Sequence, residues 1–353
     1  MKNILLLIGA LTVITHHACA RVWRVNNDAT KSPDFTIVND AIAAASPGDT
    51  IQIEPSATAY PAVNLNKRLV ILGNGYFLHD SNLQANRDSS FVISMIVDSS
   101  AVSTNASGSF IAGVSMGSFS FLHNVHDVTL TRCHVVGQVN ITAFDRDASI
   151  FITQNFIESF ITSAFLTAQV TATIEYNILS AASGVSGASV TLNANVTGLF
   201  RNNIINMNNP VLSLNNFYIA NNVFTSTTLD AITGNSNIFR NNSFAAPIFT
   251  DVTDGVDGNH TNVNMSTLFA GSTSAGYGDS RFQTAGPGVL RGTGESIGGL
   301  TPDRGAYNTV SAIESYRTSG IPAIPTIYKL SVPISVDPAA TTIDITVSAR
   351  SNN

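Results

Sequence analysis

The sequence predicts an all-β protein built as a parallel solenoid, and three observations point to this fold class. A six-residue pattern, apolar-x-x-(Asn or Cys)-x-apolar, recurs six times at intervals of 22, 22, 26, 19 and 20 residues. All six copies have an apolar residue at both the first and the sixth position. The chain is 44% apolar and only 11% charged, which suits many short strands and argues against a coiled coil or charge-driven disorder. The fourth positions of the pattern are Cys133, Asn155, Asn177, Asn203, Asn222 and Asn242.

The spacing within the pattern predicts a corner at each asparagine. Side chains alternate between the two faces of a strand, so residues five apart point to opposite sides of a straight one. Both can be buried only if the chain bends between them. Asparagine tolerates the left-handed conformation that such a bend uses, and its amide can bond nearby backbone. Stacked corners would join these amides in a ladder, and residues 70–300 would then form about ten coils.

The first 20 residues are predicted to be a signal peptide. Lys2 is followed by an apolar core over 4–14 that is too short to span a membrane, and Ala18-Cys19-Ala20 is a small-x-small cleavage signal. Cleavage near Ala20 would leave a secreted protein, extracellular or at the cell surface. No later run of eighteen apolar residues predicts a membrane span. The net charge is −6 and no basic cluster is present, so nucleic acid is not an expected partner.

Residues 21–307 are predicted to form the solenoid together with a cap at its N-terminal end. Phe35, Val38, Ile42 and Ala45 lie on one helical face, and Asp34 is available as the N-cap. An amphipathic helix just before the first strands would cover the exposed core at the end of a solenoid.

Residues 308–353 are predicted to form an extended segment and a β-hairpin that packs on the solenoid. Proline makes the stretch "IPAIP" at 321–325 extended. Apolar residues then alternate over 328–336 and again over 343–347. Pro333 would force one of these two strands to an edge.

These features together resemble the right-handed parallel β-helix, or pectin-lyase-like, superfamily. The resemblance rests on "SPGDTIQIEP", the later "ILGNG", the asparagine coils and the closing "DRGAY", and it covers roughly residues 25–307. It is closest to secreted bacterial β-helix repeat proteins of unassigned activity. The superfamily includes pectate lyases, polygalacturonases, epimerases and phage tailspikes. The resemblance therefore implies a fold whose outward ladders can line a groove for an extended polymer, but it does not single out one activity.

Five residues are candidates for catalysis. Glu175 and Arg201 occupy the second, outward position of adjacent copies, where they would form either an exposed ion pair or a site for an acidic sugar. Asp145 and Arg146 lie in a predicted loop, and Glu158 lies beyond the next corner. Glycoside hydrolysis needs two carboxyl groups at roughly 5–10 Å. The resemblance implies that an arginine can serve as base in the lyases, but the residue sets of polygalacturonases and pectate lyases are missing.

A polar loop offers a candidate calcium site, and no other cofactor is predicted. Asp251, Asp254 and Asp257 recur at every third residue in a Gly-containing stretch. Calcium needs several oxygen ligands, which a curled loop could supply. The alternative is a solvated acidic loop.

The function predicted from the sequence is that of a secreted or cell-surface β-helix that engages polysaccharide, acidic polymers included, along its elongated face without catalysis. One alternative is a polysaccharide lyase, glycoside hydrolase or epimerase of the same superfamily. The other is a structural or adhesion module of the surface.

Overall fold

The computed structural model describes residues 20–80, 83–100, 105–181, 189–229, 231–247, 249–270, 278–311, 314–336 and 338–352. The predicted signal peptide lies outside the described residues, except for Ala20.

The chain forms a right-handed parallel β-helix of short strands with little helix, as predicted. In chain order the strands are β1 Val22–Val25, β2 Thr50–Ile53, β3 Val63–Leu65, β4 Val70–Leu72, β5 Phe91–Val92, β6 Met95–Asp98, β7 Phe110–Ala112, β8 Ser115–Met116, β9 Phe119–Leu122, β10 Val128–Thr131, β11 His134–Val135, β12 Val139–Phe144, β13 Ala148–Thr153, β14 Phe156–Ile157, β15 Ile161–Leu166, β16 Val170–Glu175, β17 Ile178–Ser180, β18 Ser189–Thr191, β19 Val196–Arg201, β20 Ile204–Asn206, β21 Val211–Ser213, β22 Phe217–Ala220, β23 Val223–Phe224, β24 Ile238–Arg240, β25 Ser243–Phe244, β26 Thr326–Ser331 and β27 Thr346–Arg350. The α-helix is α1 Val38–Ala44, and the 3-10 helices are Ala29–Lys31, Leu78–Asp80, Val256–Gly258, Met265–Thr267, Asp279–Phe282 and Thr318–Gly320.

Three parallel sheets form the faces of the helix, and each turn visits them in the order A, B, C. Sheet A is β1-β2-β4-β7-β10-β13-β16-β19-β22-β24, sheet B is β25-β23-β20-β17-β14-β11-β8-β5, and sheet C is β21-β18-β15-β12-β9-β6-β3. The described strands make about eight turns instead of the predicted ten. The estimate of ten was too high because the chain beyond about residue 260 leaves the solenoid and no longer adds strands to it.

The six predicted corner residues stack in one row between sheets A and B. In the interior of the row, the backbone N–H and the side-chain Nδ2 of each asparagine both donate to the Oδ1 of the next, at 2.9–3.1 Å. Cys133 begins the row by donating its N–H to Asn155. Asn259, which the pattern did not include, ends the row by accepting from Asn242. The asparagine ladder is therefore confirmed and extends one rung further than predicted.

The bend itself lies one residue before each ladder residue. The third positions of the pattern have φ between 50° and 57°, and they are Arg132, Gln154, Tyr176, Asn202, Asn221 and Asn241. The left-handed conformation was expected at the asparagines. The preceding residue takes it instead, and its backbone N–H still bonds to the next rung, as Arg132 does to Thr153.

The core fills the interior between the three sheets. The first positions of the pattern pair in register along sheet A, from Leu130 to Phe239. The sixth positions pair along sheet B, from Val135 to Phe244. Nearly all are fully buried, so residues five apart do face one core from two sides of a corner.

Helix α1 caps the N-terminal end of the solenoid, as predicted. It buries Val38, Ala41 and Ile42 against the first strands. Its N-cap is Ile37, which makes no side-chain cap bond. Asp34 instead accepts from the backbone N–H of Arg24, so its predicted capping role is wrong.

A long C-terminal segment returns along the outside of the solenoid. We call residues 278–311 and 314–325 the strap. It begins at Gly278, beside the ring of Phe77, and in its middle Thr293 accepts from Asn241 and Asp303 accepts from Asn202. Near its end, Ser319 accepts from the backbone of Tyr76. The strap therefore runs from the early rungs out to the last ones and back again.

The strap makes a second core on the outer side of sheet B. Phe156, Ile178, Ile204 and Val223 occupy the fifth position of the pattern and point outward. They pack against strap residues including Phe282, Leu290, Ala306 and Tyr316. The strands of sheet B are thus buried on both faces.

A buried carboxyl near the start of the strap bonds to residues near its end. Asp279 is 1% exposed and accepts from the hydroxyl of Tyr316 at 2.8 Å and from the backbone N–H of Ser319 at 2.5 Å. The hydroxyls of Tyr316 and Tyr76 are 2.5 Å apart. Burial raises the pKa of Asp279 to about 6, although these hydrogen bonds oppose the change.

The predicted hairpin is formed by the antiparallel strands β26 and β27. It bonds to the N-terminal half of the chain, where Ile327 accepts from Ala85 and Arg350 donates to Leu83.

Candidate functional site on the outer face of sheet A

The outer face of sheet A carries three side-chain columns, and we call these together the striped face. The columns follow from the alternation of strand side chains: the inward residues form the core, and the residues between them point outward. The strands are in register over successive rungs, so each outward position is repeated about every 4.8 Å along the axis.

The central column of the striped face is apolar and aromatic, interrupted by threonines. Phe110 and Ile238 at its two ends are 40% and 51% exposed, and the residues between them are half-buried. In register order the column is Phe110, Thr129, Phe151, Thr173, Leu199, Tyr218 and Ile238. Apolar side chains held partly open along one line form a surface on which flat apolar groups can stack.

The column on the strap side carries the predicted charged pair. In register order it is Thr131, Thr153, Glu175, Arg201, Ala220 and Arg240. Arg201 Nε donates to Glu175 Oε1 across adjacent rungs. Glu175 is only 7% exposed, and burial raises its pKa even though Arg201 opposes the change. The pair is therefore more buried than an ordinary surface ion pair.

The strap adds a carboxylate to this side of the striped face. Glu295 accepts from the hydroxyl of Tyr218 at 2.5 Å, and its backbone N–H donates to Asn221. The pKa of Tyr218 is raised to about 12, mainly by burial and secondly by the hydrogen bond to Glu295. Tyr218 is therefore a fixed, neutral phenol.

The column on the opposite side is polar and leads into a cleft at the corner between sheets C and A. Ser149, Thr171 and Thr197 pair in register along this column. Ser149 donates a hydrogen bond to the carboxylate of Asp127. This bond, and secondly the one with His126, lowers the pKa of Asp127. This column supplies hydroxyl groups beside the apolar one.

The corner cleft has a volume of about 860 Å³ and a largely polar lining. It spans three successive corners, and Asp145 and Arg146 belong to its wall. Asn124 holds this wall in place: its Nδ2 donates to Asp145 Oδ1 at 2.6 Å, and its Oδ1 accepts from the backbone N–H groups of both residues. His123 Nδ1 lies 2.9 Å from Asp98 Oδ1.

The five predicted catalytic residues lie at three different corners. Asp145 and Arg146 are at the C-to-A corner, and Glu175 and Arg201 are at the end of sheet A, where it turns into sheet B. Glu158 follows β14 at the B-to-C corner, with Oε1 2.6 Å from His134 Nε2. The fold brings the residues together in pairs but does not bring the five into one cleft. Their catalytic role stays a prediction.

The three aspartates predicted to bind calcium are partly engaged with other groups. Asp257 pairs with Arg240, and Asp254 Oδ1 accepts from the backbone of Thr261 at 2.9 Å. Across the described part of the chain, no group of three or more His, Cys, Asp or Glu side chains is placed to hold a metal ion. The calcium site stays a prediction.

The sequence carries a signal for the central column. The residue just before each copy of the pattern is its member in that column: Thr129, Phe151, Thr173, Leu199, Tyr218 and Ile238. The strap glutamate, by contrast, had no signal, because Glu295 is 77 residues from Tyr218 in the chain.

Within the described ranges, no helix is long and apolar enough to cross a bilayer. Comparisons of the chain with protein-family models, curated proteins and solved structures gave no significant match. The functional argument therefore rests on the geometry of this chain.

Proposed function

We propose that this is a secreted or cell-surface β-helix protein that binds an extended polysaccharide along the striped face. Export is supported by the signal-peptide pattern of residues 1–20. The single observation that carries the binding proposal is the central column, in which partly exposed apolar side chains, interrupted by two threonines, follow one line from Phe110 to Ile238.

The chemistry of a sugar chain matches the three columns. The faces of a pyranose ring carry C–H groups that pack on aromatic and aliphatic side chains, and its edges carry hydroxyl groups that need hydrogen-bond partners. The striped face offers aromatic and aliphatic side chains in its central column. It offers hydroxyl, carboxylate and guanidinium groups as hydrogen-bond partners on both sides. Its regular spacing suits a ligand that itself repeats along a line.

The rigidity of the face supports binding without a large ordering cost. Each strand of sheet A between β2 and β22 is bonded to a neighbour on both sides. A preformed surface loses little conformational freedom when a polymer docks on it. Affinity then depends on the number of rungs that are occupied.

The test is affinity electrophoresis of the full chain through gels that contain soluble polysaccharides. Phe110→Ala and Phe151→Ala should each weaken retardation about two- to twelvefold, because a lost stacking contact is worth about 0.5–1.5 kcal/mol. Tyr328→Ala is the matched control, since this half-exposed aromatic lies in strand β26 of the hairpin and is not a member of the central column.

Three outcomes are informative. Retardation that falls in the two phenylalanine variants but not in the control supports the proposal. Equal retardation of all variants would show that the polymer binds outside the striped face. If no polymer retards the protein, the alternative of a structural or adhesion module is favoured. The same samples are assayed for unsaturated products and new reducing ends, whose appearance would establish the lyase or hydrolase alternative.

A further inference from the structure

Three arginines on the strap side of the striped face, Arg132, Arg201 and Arg240, are engaged by groups of this chain. Arg201 bonds to Glu175, and Arg240 bonds to Asp257. Arg132 donates to Gln154 and to the backbone carbonyl of Ile321. An acidic sugar would have to displace these partners before it could pair with a guanidinium group.

Displacement would be especially unfavourable at Glu175. This carboxyl is 7% exposed, and burial already raises its pKa. Removing Arg201 from it would leave a buried, uncompensated charge, which costs several kcal/mol. Arg201 is therefore a structural partner of Glu175 and not an open anion site.

The strap side of the face has no excess of positive charge. The charge of Glu314 raises the pKa of Arg132 and the charge of Arg317 lowers it, so both groups lie near Arg132. Four carboxyl groups and four guanidinium groups belong to this side: Glu175, Asp257, Glu295 and Glu314, and Arg132, Arg201, Arg240 and Arg317.

The opposite side of the face is acidic. Four carboxyl groups, Asp98, Asp127, Asp145 and Asp147, lie there against the cations Lys67, Arg68 and Arg146, which leaves a small excess of negative charge. The whole chain carries a net charge of −6. A polyanion approaching within a Debye length of about 8 Å would meet this negative charge without a compensating basic patch.

From these charges we infer that the polysaccharide bound by the striped face is an uncharged one. The inference rests on the proposed function and narrows its ligand class. Recognition then comes from stacking on the central column and from hydroxyl groups bonded on both sides. Both contributions are nearly independent of salt, unlike pairing between arginines and uronic acids.

The test compares two sets of soluble polymers at two salt concentrations. The neutral set is mixed-linkage β-glucan, xyloglucan and galactomannan, and the acidic set is polygalacturonate and alginate. We expect retardation by at least one neutral polymer, with less than a twofold change between about 0.05 and 0.5 M salt, where screening of exposed charges differs strongly. The acidic set should give at least tenfold weaker retardation at the lower salt.

A charge variant checks the cause. Asp145→Asn combined with Asp147→Asn should raise binding of polygalacturonate at about 0.05 M salt but not at about 0.5 M, whereas its effect on the neutral polymer should be the same at both salt concentrations. If the native protein binds an acidic polymer as well as or better than the neutral ones, the inference is wrong while the proposed function stands. If it binds neither set, the proposed function itself fails.

Discussion

Replacing Asn203 with alanine removes the centre of the asparagine ladder. Asn203 Oδ1 accepts from the backbone N–H of Asn177 at 2.9 Å and from its Nδ2 at 3.1 Å. Asn203 Nδ2 donates to the carbonyl of Ile174 at 2.9 Å and to Asn222 Oδ1 at 3.0 Å. Both Asn177 and Asn203 are fully buried, so water cannot replace the lost bonds.

The expected loss follows from counting the groups left without a partner. Asn177 Nδ2 still donates to Ile152, and Asn222 Oδ1 still accepts from the backbone of residue 203. The Asn177 N–H loses its ladder partner, whereas the Ile174 carbonyl also lies in the parallel pairing of β16 with β19. At about 1–3 kcal/mol for the one unsatisfied buried group, Asn203→Ala should lower the free energy of unfolding by about 1–3 kcal/mol.

The assay is equilibrium unfolding in urea, followed by circular dichroism and by the fluorescence of Trp23, the sole tryptophan. Asn64→Ala is the control, because Asn64 is exposed in the middle of β3, and it should change stability by less than about 0.5 kcal/mol. A loss below about 1 kcal/mol in Asn203→Ala would refute the claim that the ladder stabilises the corners.

Three further predictions concern the strap and the charged pair. Gly320→Ala should release the strap, because a Cβ at this left-handed position would collide with the ring of Tyr76; limited proteolysis should then cut the strap faster than in the native protein. The raised pKa of Asp279, about 6 against an ordinary 3.8, means that its protonated form favours the folded state. The native protein should therefore lose up to about 3 kcal/mol as pH rises from 4 to 7, and Asp279→Asn should lose much less over the same range of unfolding measurements. Arg201→Met should lower the thermal midpoint more than the double variant Glu175→Leu with Arg201→Met, because only the single variant leaves a buried carboxylate unpaired; the reverse order would show that the unpaired Glu175 carboxylate is not what destabilises the single variant.

The core and the corners could be predicted from the sequence because both depend on local patterns. Leu130 and Val135 must both be buried, and only a bend between them allows it. The same requirement repeats every rung, so one row of asparagines is the result. The pattern could not show that Arg132 takes the left-handed conformation, since arginine has no such preference.

The number of turns and the cover on sheet B were decided by contacts between distant parts of the chain. The Gly-rich stretch after residue 280 has no strand pattern, and its burial depends on the apolar fifth positions, such as Ile178 and Ile204, that only the coiled solenoid brings into one column. The sequence by itself thus determined the repeating rung, because each rung satisfies its own hydrophobic and hydrogen-bonding needs with its neighbours. Tertiary structure alone decided the strap and the partners it brings to the striped face, because Glu295 meets Tyr218 only after both have been placed along the same axis.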